Sequence, residues 1–274
     1  MGDIMFQGKI SAPARVYCRR AGMFALTFPA LLLTAASAFA QCTPTAPATV
    51  TCTGTVTNQN SPNGFGTGVE TGLTINVQAG ATVTGTTSPG DGIAVAGGNT
   101  VNNLGAIAGP ANNGIVAIQA VADTLTVNNN SSTATISGLN GVNGVNGSAL
   151  VVNQGTITGT SNAGSAITAG VSLNVTNMGT GIIMSAGTAI DNGGAGGSIT
   201  VTNAGNIQAA GSSIHAFGAI TFTNTGTMVG TINGGTINGN NSAMITGGVG
   251  AVRGDLTLTN SGTIINPLAG DFGA

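Results

Sequence analysis

The sequence predicts an all-β fold, a parallel β-helix (β-solenoid) of repeated rungs of about 21–26 residues, preceded by a cleaved signal peptide. Three observations predict it. A strand-like run ending in Asn-x-Gly-x-apolar recurs along the chain, as in Ile199-Thr200-Val201-Thr202-Asn203-Ala204-Gly205-Asn206-Ile207 and Leu256-Thr257-Leu258-Thr259-Asn260-Ser261-Gly262-Thr263-Ile264. Within each run apolar and polar residues alternate with period two, and no helical periodicity follows the leader. Of 274 residues 47 are glycine, 4% are charged and 3% aromatic, yet 41% are hydrophobic, so the chain can build a core from small side chains and is unlike a charge-rich disordered one.

Taken in order, residues 1–40 read as a secretory leader. Arg15, Arg19 and Arg20 precede an apolar run from Met23 to Leu33, which drifts into small residues and ends in Ala38-Phe39-Ala40. Ala38 and Ala40 stand at the small-residue sites, so cleavage is expected before Gln41. A membrane anchor needs roughly 20 strongly apolar residues, and Pro29, Thr34 and Ser37 break this one. Gln41 before Cys42 does not fit a lipoprotein, and the neighbours of Arg19-Arg20 fit a twin-arginine signal poorly.

Residues 41–72 read as an N-terminal cap region and 73–274 as the repeats. Cys18 leaves with the leader, which leaves Cys42 and Cys52 as an isolated pair closing a short loop. In an oxidising compartment such a pair forms a disulfide. Zinc would need two further ligands, and the sole histidine, His215, lies far along the chain.

The repeat asparagines are Asn103, Asn153, Asn177, Asn203, Asn224 and Asn260, at intervals of 50, 24, 26, 21 and 36. A degenerate copy at Leu125-Thr126-Val127-Asn128 halves the first interval, and an insertion accounts for the last. A second element recurs between the copies: Gly164-Ser165-Ala166-Ile167, Gly187-Thr188-Ala189-Ile190, Gly211-Ser212-Ser213-Ile214, Gly147-Ser148-Ala149-Leu150 and Gly250-Ala251-Val252. Pleating sends Ile199 and Val201 inward and Thr200 and Thr202 outward. One unit cannot bury its apolar row alone, but stacked copies can. Glycine and asparagine suit left-handed corners, so turn preference is the first reading of the asparagines, with stacking into a hydrogen-bonded ladder as an addition.

Charge excludes some functions. From residue 41 onward Arg253 is the one base against six acids, and the only aromatics are Phe65, Phe217, Phe222 and Phe272. Such a surface neither neutralises phosphates nor stacks bases, so no nucleic-acid partner is expected. Glu70, Asp91, Asp123, Asp191, Asp255 and Asp271 are scattered along the repeats; only Arg253 and Asp255 are close, and they read as a surface ion pair. His215 has no acid beside it in sequence. Gly64-Phe65-Gly66-Thr67-Gly68 and Gly193-Gly194-Ala195-Gly196-Gly197 lack the helix or the aspartate that nucleotide or calcium loops need and read as turns. No catalytic, cofactor-binding or metal site is expected, no cofactor, and no transmembrane helix retained after cleavage.

The leader, the opening from Gln41-Cys42 to Cys52-Thr53-Gly54 and the repeated Thr-Asn-x-Gly-x-Ile units resemble the N-terminal part of an autotransporter passenger domain, an adhesin-like β-helix exported by Gram-negative bacteria, over essentially all of residues 15–274. The resemblance implies a non-enzymatic surface or secreted module, a host-cell or matrix ligand, and display through a C-terminal β-barrel translocator. The barrel itself is not expected in this chain, which reads as a truncated passenger or a free-standing secreted relative, periplasmic as written and at the cell surface when a translocator is supplied. Two alternatives remain at this point: a β-helical glycan-degrading enzyme, and an ice-binding solenoid suggested by Thr200-Val201-Thr202, Thr221-Phe222-Thr223 and Thr257-Leu258-Thr259.

Overall fold

The computed structural model describes residues 40–118 and 123–265. The signal peptide expected over 1–40 lies outside the described residues, Ala40 excepted, as do Ala38, Asp271 and Phe272; Ala40 and Gln41 are exposed. Every regular element among the described residues is a β-strand, and no helix there is long and apolar enough to cross a membrane.

The strands stack into a solenoid with three sides. The first side is an eleven-stranded sheet that begins with the hairpin Gln41–Ala46 and Thr49–Thr53 and runs through strands such as Thr100–Asn103, Ser172–Asn177 and Ser198–Asn203 to Leu256–Asn260. All of its pairings are parallel except the opening hairpin. A fourteen-stranded sheet supplies the other two sides. Its long strands bend through a corner: Thr135–Val145 pairs over Thr135–Gly138 with Thr156–Gly159, and over Val142–Gly144 with Ser165–Ala169.

Parallel register places like residues over like. On the first side Val127, Val151, Val175, Val201 and Phe222 form one inward column. On the second, Ile136, Ile157, Ile183, Ile207 and Met228 do so, and on the third Val142, Ile167, Ile190, Ile214 and Ile232. All of these are essentially inaccessible to solvent. Successive members are one strand spacing apart, roughly 4.8 Å, and burial of each contributes roughly 1.5–3 kcal/mol. Ile199 and Val201 are buried, while Thr200 and Thr202 are exposed, as the alternation requires.

Several details differ from the sequence reading. The degenerate rung ends at Asn129 rather than Asn128, because Asn128 registers with Asn102 and Asn129 with Asn103. The last interval holds no insertion but a further short rung, Thr236–Asn241, so successive rungs near that end are 17 and 19 residues apart. That rung was hidden because Gly239 stands where its neighbours carry Phe222 and Leu258. Gly147-Ser148-Ala149-Leu150 belongs to the first side, where Ser148–Asn153 pairs with Thr124–Asn129, so it is not a copy of the second element. In the last copy Val249 takes the inward place opposite Ile232, leaving Val252 exposed. Parallel stacking also begins inside the 41–72 region, where Thr49–Cys52 pairs with Thr74–Val77.

Gly80, Gly98 and Gly196 take the positive φ expected of tight corners, but two glycines of the repeated Asn-x-Gly unit have a different cause. Gly205 and Gly226 are not among the residues with positive φ. A Cβ on Gly205 would instead collide with the carbonyl oxygens of Gly181 and Met178 in the preceding turn, and one on Gly226 with that of Gly205. Close approach of stacked backbones, not a left-handed conformation, requires glycine there.

Candidate functional site

The repeat asparagines come together as a single ladder. Asn103 Nδ2 donates to Asn129 Oδ1 at 2.8 Å, and the same contact continues through Asn153, Asn177, Asn203, Asn224 and Asn241 to Asn260. None of these asparagines has a positive φ. The second amide hydrogen goes to backbone carbonyls; Asn177 Nδ2, for example, reaches Gly181 O at 3.1 Å and Asn206 O at 3.3 Å. Members from Asn103 to Asn241 are buried, so the ladder meets their own hydrogen-bonding needs and gives partners to the corner carbonyls beside them. Asn129 and Asn241 complete it, and the sequence pattern missed both.

The outer surface of the first side is equally regular. Asn174, Thr200, Thr221, Asn238 and Thr257 form one column, and Thr176, Thr202, Thr223, Asn240 and Thr259 a second beside it. Leu150 and Val152 interrupt the two columns. Beyond them Asn128 donates to Asn102, and Asn102 to Asn76, each at 2.9 Å.

Cys42 and Cys52 sit opposite each other in the opening hairpin and are joined by a disulfide. The glycine-rich 64–68 segment is more than a turn. Phe65 is buried against Ile93 as the start of the third inward column. Gly66 and Gly68 take positive φ, and the Glu70 carboxylate closes the loop by accepting from Thr67 N, Thr67 Oγ1, Gly68 N and Val69 N at 2.8–3.2 Å. Burial acts to raise the Glu70 pKa, but these hydrogen bonds outweigh it and hold it below the ordinary value. Asp91 behaves oppositely. Its burial pushes its pKa up, against hydrogen bonds that Oδ1 accepts from Asn113 Nδ2 at 2.8 Å and Asn113 N at 2.9 Å.

The third side gathers the chemistry that is scattered in sequence. Register stacks Asp191, His215 and Asn233 on consecutive rungs. His215 Nδ1 lies 2.8 Å from Asp191 Oδ1, an acid partner that sequence adjacency could not reveal. The imidazole meets the Phe217 ring edge to face at 5.3 Å, and the Arg253 guanidinium lies over the same ring, 5.8 Å from its centroid. The expected Arg253–Asp255 ion pair is not formed; the only ion pair among the described residues is His215–Asp191. Arg253 turns instead to the half-exposed aromatic surface. His215, Asn233, Ala216, Phe217, Gly234, Gly235, Val252 and Arg253 line a pocket of about 110 Å³. A wider depression of about 550 Å³ around Asn143, Asn146, Thr168 and Gly194 has no titratable side chain in its lining, so reactive groups concentrate in the smaller pocket.

An Asp–His pair of this kind fixes the ring tautomer and leaves Nε2 as the free polar atom. Among the described residues no hydroxyl or thiol is hydrogen-bonded to His215, and no group of three or more His, Cys, Asp or Glu is positioned to hold a metal.

The stacked rungs, the three inward columns and the asparagine ladder together define a parallel β-solenoid. The chain matches no protein-family model, no curated protein and no solved structure.

Proposed function

We propose that the chain is an exported, non-enzymatic contact module, an adhesin-like passenger of the autotransporter type whose solenoid presents a long, regular polar face. The observation that carries this reading is the pair of outward Thr and Asn columns, in register over successive rungs of the first side. They offer short hydroxyl and amide groups at fixed spacing, which suits contact over area with a host-cell or matrix ligand. The Cys42–Cys52 disulfide supports residence in an oxidising compartment, and the leader supports export from a Gram-negative cytoplasm. A β-barrel translocator would carry the solenoid to the surface.

The test is expression in a Gram-negative host with and without a fused barrel. The exported product is expected to begin at Gln41, to stay in the periplasm when unfused, and to reach added protease and bind host cells or matrix only when fused. An intact leader, or a surface-exposed fusion that binds no host cell or matrix material, counts against the reading.

A second reading, ice binding, draws on Thr200 and Thr202 lying in register with Thr221 and Thr223. Asn238 and Asn240 separate these rows from Thr257 and Thr259. Thermal hysteresis by the purified mature chain, abolished by Thr221→Asp, would establish it.

A further inference from the structure

Among the described residues, the pocket on the third side brings Arg253 beside His215, which is itself paired with Asp191. Arg253 is the sole Lys or Arg among the described residues, and no carboxylate of a described residue lies within ion-pair distance of it, Asp255 included. A guanidinium over a ring keeps its in-plane N–H donors for an acceptor, and among the described residues no side chain or backbone group accepts a hydrogen bond from it. Asp191 is already engaged by His215 at 2.8 Å. Asn233 Nδ2 donates to Thr231 Oγ1 at 2.9 Å and Ser212 Oγ at 3.2 Å, which anchors the side chain in the pocket wall, and its Oδ1 makes no hydrogen bond to Arg253.

Behind the cation the walls are apolar. Phe217 is 46% exposed and Val252 73% exposed, among the most exposed large hydrophobics of the chain, and Ala216 and Gly234 form part of the lining. An unpartnered cation next to uncovered apolar surface fits an amphipathic anion. At about 110 Å³ the pocket takes one chemical group rather than a whole drug-sized molecule.

We propose that this pocket binds an apolar group bearing a carboxylate, with Arg253 receiving the carboxylate and Phe217 and Val252 the apolar group. Arg–carboxylate recognition is bidentate and favours a planar anion. Desolvation of Phe217 and Val252 adds a contribution that a hydrophilic acid, such as a sugar acid, does not supply. His215 is held by Asp191 as a wall of the pocket, and its Nε2 is the remaining polar atom of the ring. The inference deepens the contact-module reading and rests on it for biological use; the binding chemistry stands on the pocket alone.

Calorimetric titration of the purified mature chain tests it, with phenylacetate as the probe. Phenylacetate is expected to bind saturably and at least tenfold more tightly than its neutral isostere phenylacetamide. Arg253→Gln and Phe217→Ala are each expected to weaken it at least tenfold with the circular dichroism melt unchanged, whereas Gln208→Ala, on the second side, leaves it unaltered. A short peptide ending in a free Phe carboxylate, compared with its amidated form, identifies the source. Tighter binding of the free peptide than of phenylacetate points to a chain terminus, weaker binding to a small acid, and both support the site. Absence of saturable binding, equal affinity for acid and amide, indifference to Arg253→Gln, or galacturonate binding as tightly as phenylacetate would overturn the proposal. Such failure leaves export and display standing, because those are read by fractionation and surface proteolysis.

Discussion

Two carboxylates close neighbouring loops and respond to pH in opposite directions. Glu70 is held below its ordinary value by the hydrogen bonds of the Thr67–Val69 loop, which outweigh its partial burial. Its folded pKa is depressed, so the stability it contributes is present above the unfolded value and is lost as pH falls through the folded one. Asp91 has its pKa raised by burial. Its protonated form is favoured by folding, so the contribution is fully present below the unfolded value, near 3.8, and is lost as pH rises through the folded one. Asp91→Asn keeps an Oδ1 acceptor for Asn113 and removes the ionised group. This variant is expected to melt above the parent at pH 7 and level with it near pH 3. Glu70→Ala removes several charge-assisted bonds at a partly solvated site and is expected to cost about 1 kcal/mol at pH 7, shrinking toward pH 3. Thermal melts at the two pH values check both, and a loss of stability in Asp91→Asn at neutral pH contradicts the argument from burial.

At the scale of the rung, polar and apolar columns carry separate loads. Asn177→Ala removes a buried amide that donates to Asn203 Oδ1 at 2.8 Å and accepts from Asn153 Nδ2 at 2.9 Å. It leaves two buried partners unmatched, at an expected cost of about 2–3 kcal/mol; Asn260→Ala, at an exposed end, is expected to cost under about 1 kcal/mol. Equal losses in chemical denaturation would deny the ladder its role. The apolar columns show compensation between neighbours. Phe222 fills the space over Gly239, where a Cβ would strike its ring. Gly239→Val alone is expected to destabilise by about 1–3 kcal/mol through overpacking, while adding Phe222→Val, which restores the valines of earlier rungs, is expected to recover much of the loss. The rung was legible in the sequence wherever Val, Ile or Leu alternated with Thr and a corner Asn followed. It was illegible at 236–241, because a volume exchanged between two rungs erased the apolar signal from one of them. The pair His215–Asp191, 24 residues apart, was illegible for a different reason: it is a product of register and has no local sequence mark.

Over the whole stack, stability is close to a sum of turns and their nearest-neighbour contacts, so the two ends decide where unfolding starts. The ends of the first sheet differ. At one, Gln41–Ala46 runs antiparallel over Thr49–Thr53, carries Pro44 and a register shift between Pro44 and Ala46, and is tied by Cys42–Cys52. An outer strand with proline and a bulge covers the stack without offering a regular template to another strand. At the other, Leu256–Asn260 lies on the sheet's outer position with most of its residues exposed, Leu256 among them. The first stacked turn is therefore clamped covalently, and among the described residues the last has a strand neighbour on one face. Local opening is expected to be graded along the axis: amides of 256–265 exchange fastest, those of Ser148–Asn153 through Ala219–Asn224 slowest, and the opening hairpin close to the middle. Reduction of the disulfide is expected to accelerate exchange in 41–57 alone, because the loop it closes does not touch distant turns. Hydrogen exchange read by mass spectrometry on the oxidised and reduced mature chain tests this. Uniform protection along the axis, or a reduction effect that reaches Ser198–Asn203, would mean that the solenoid opens as one cooperative unit and that its ends do not govern it.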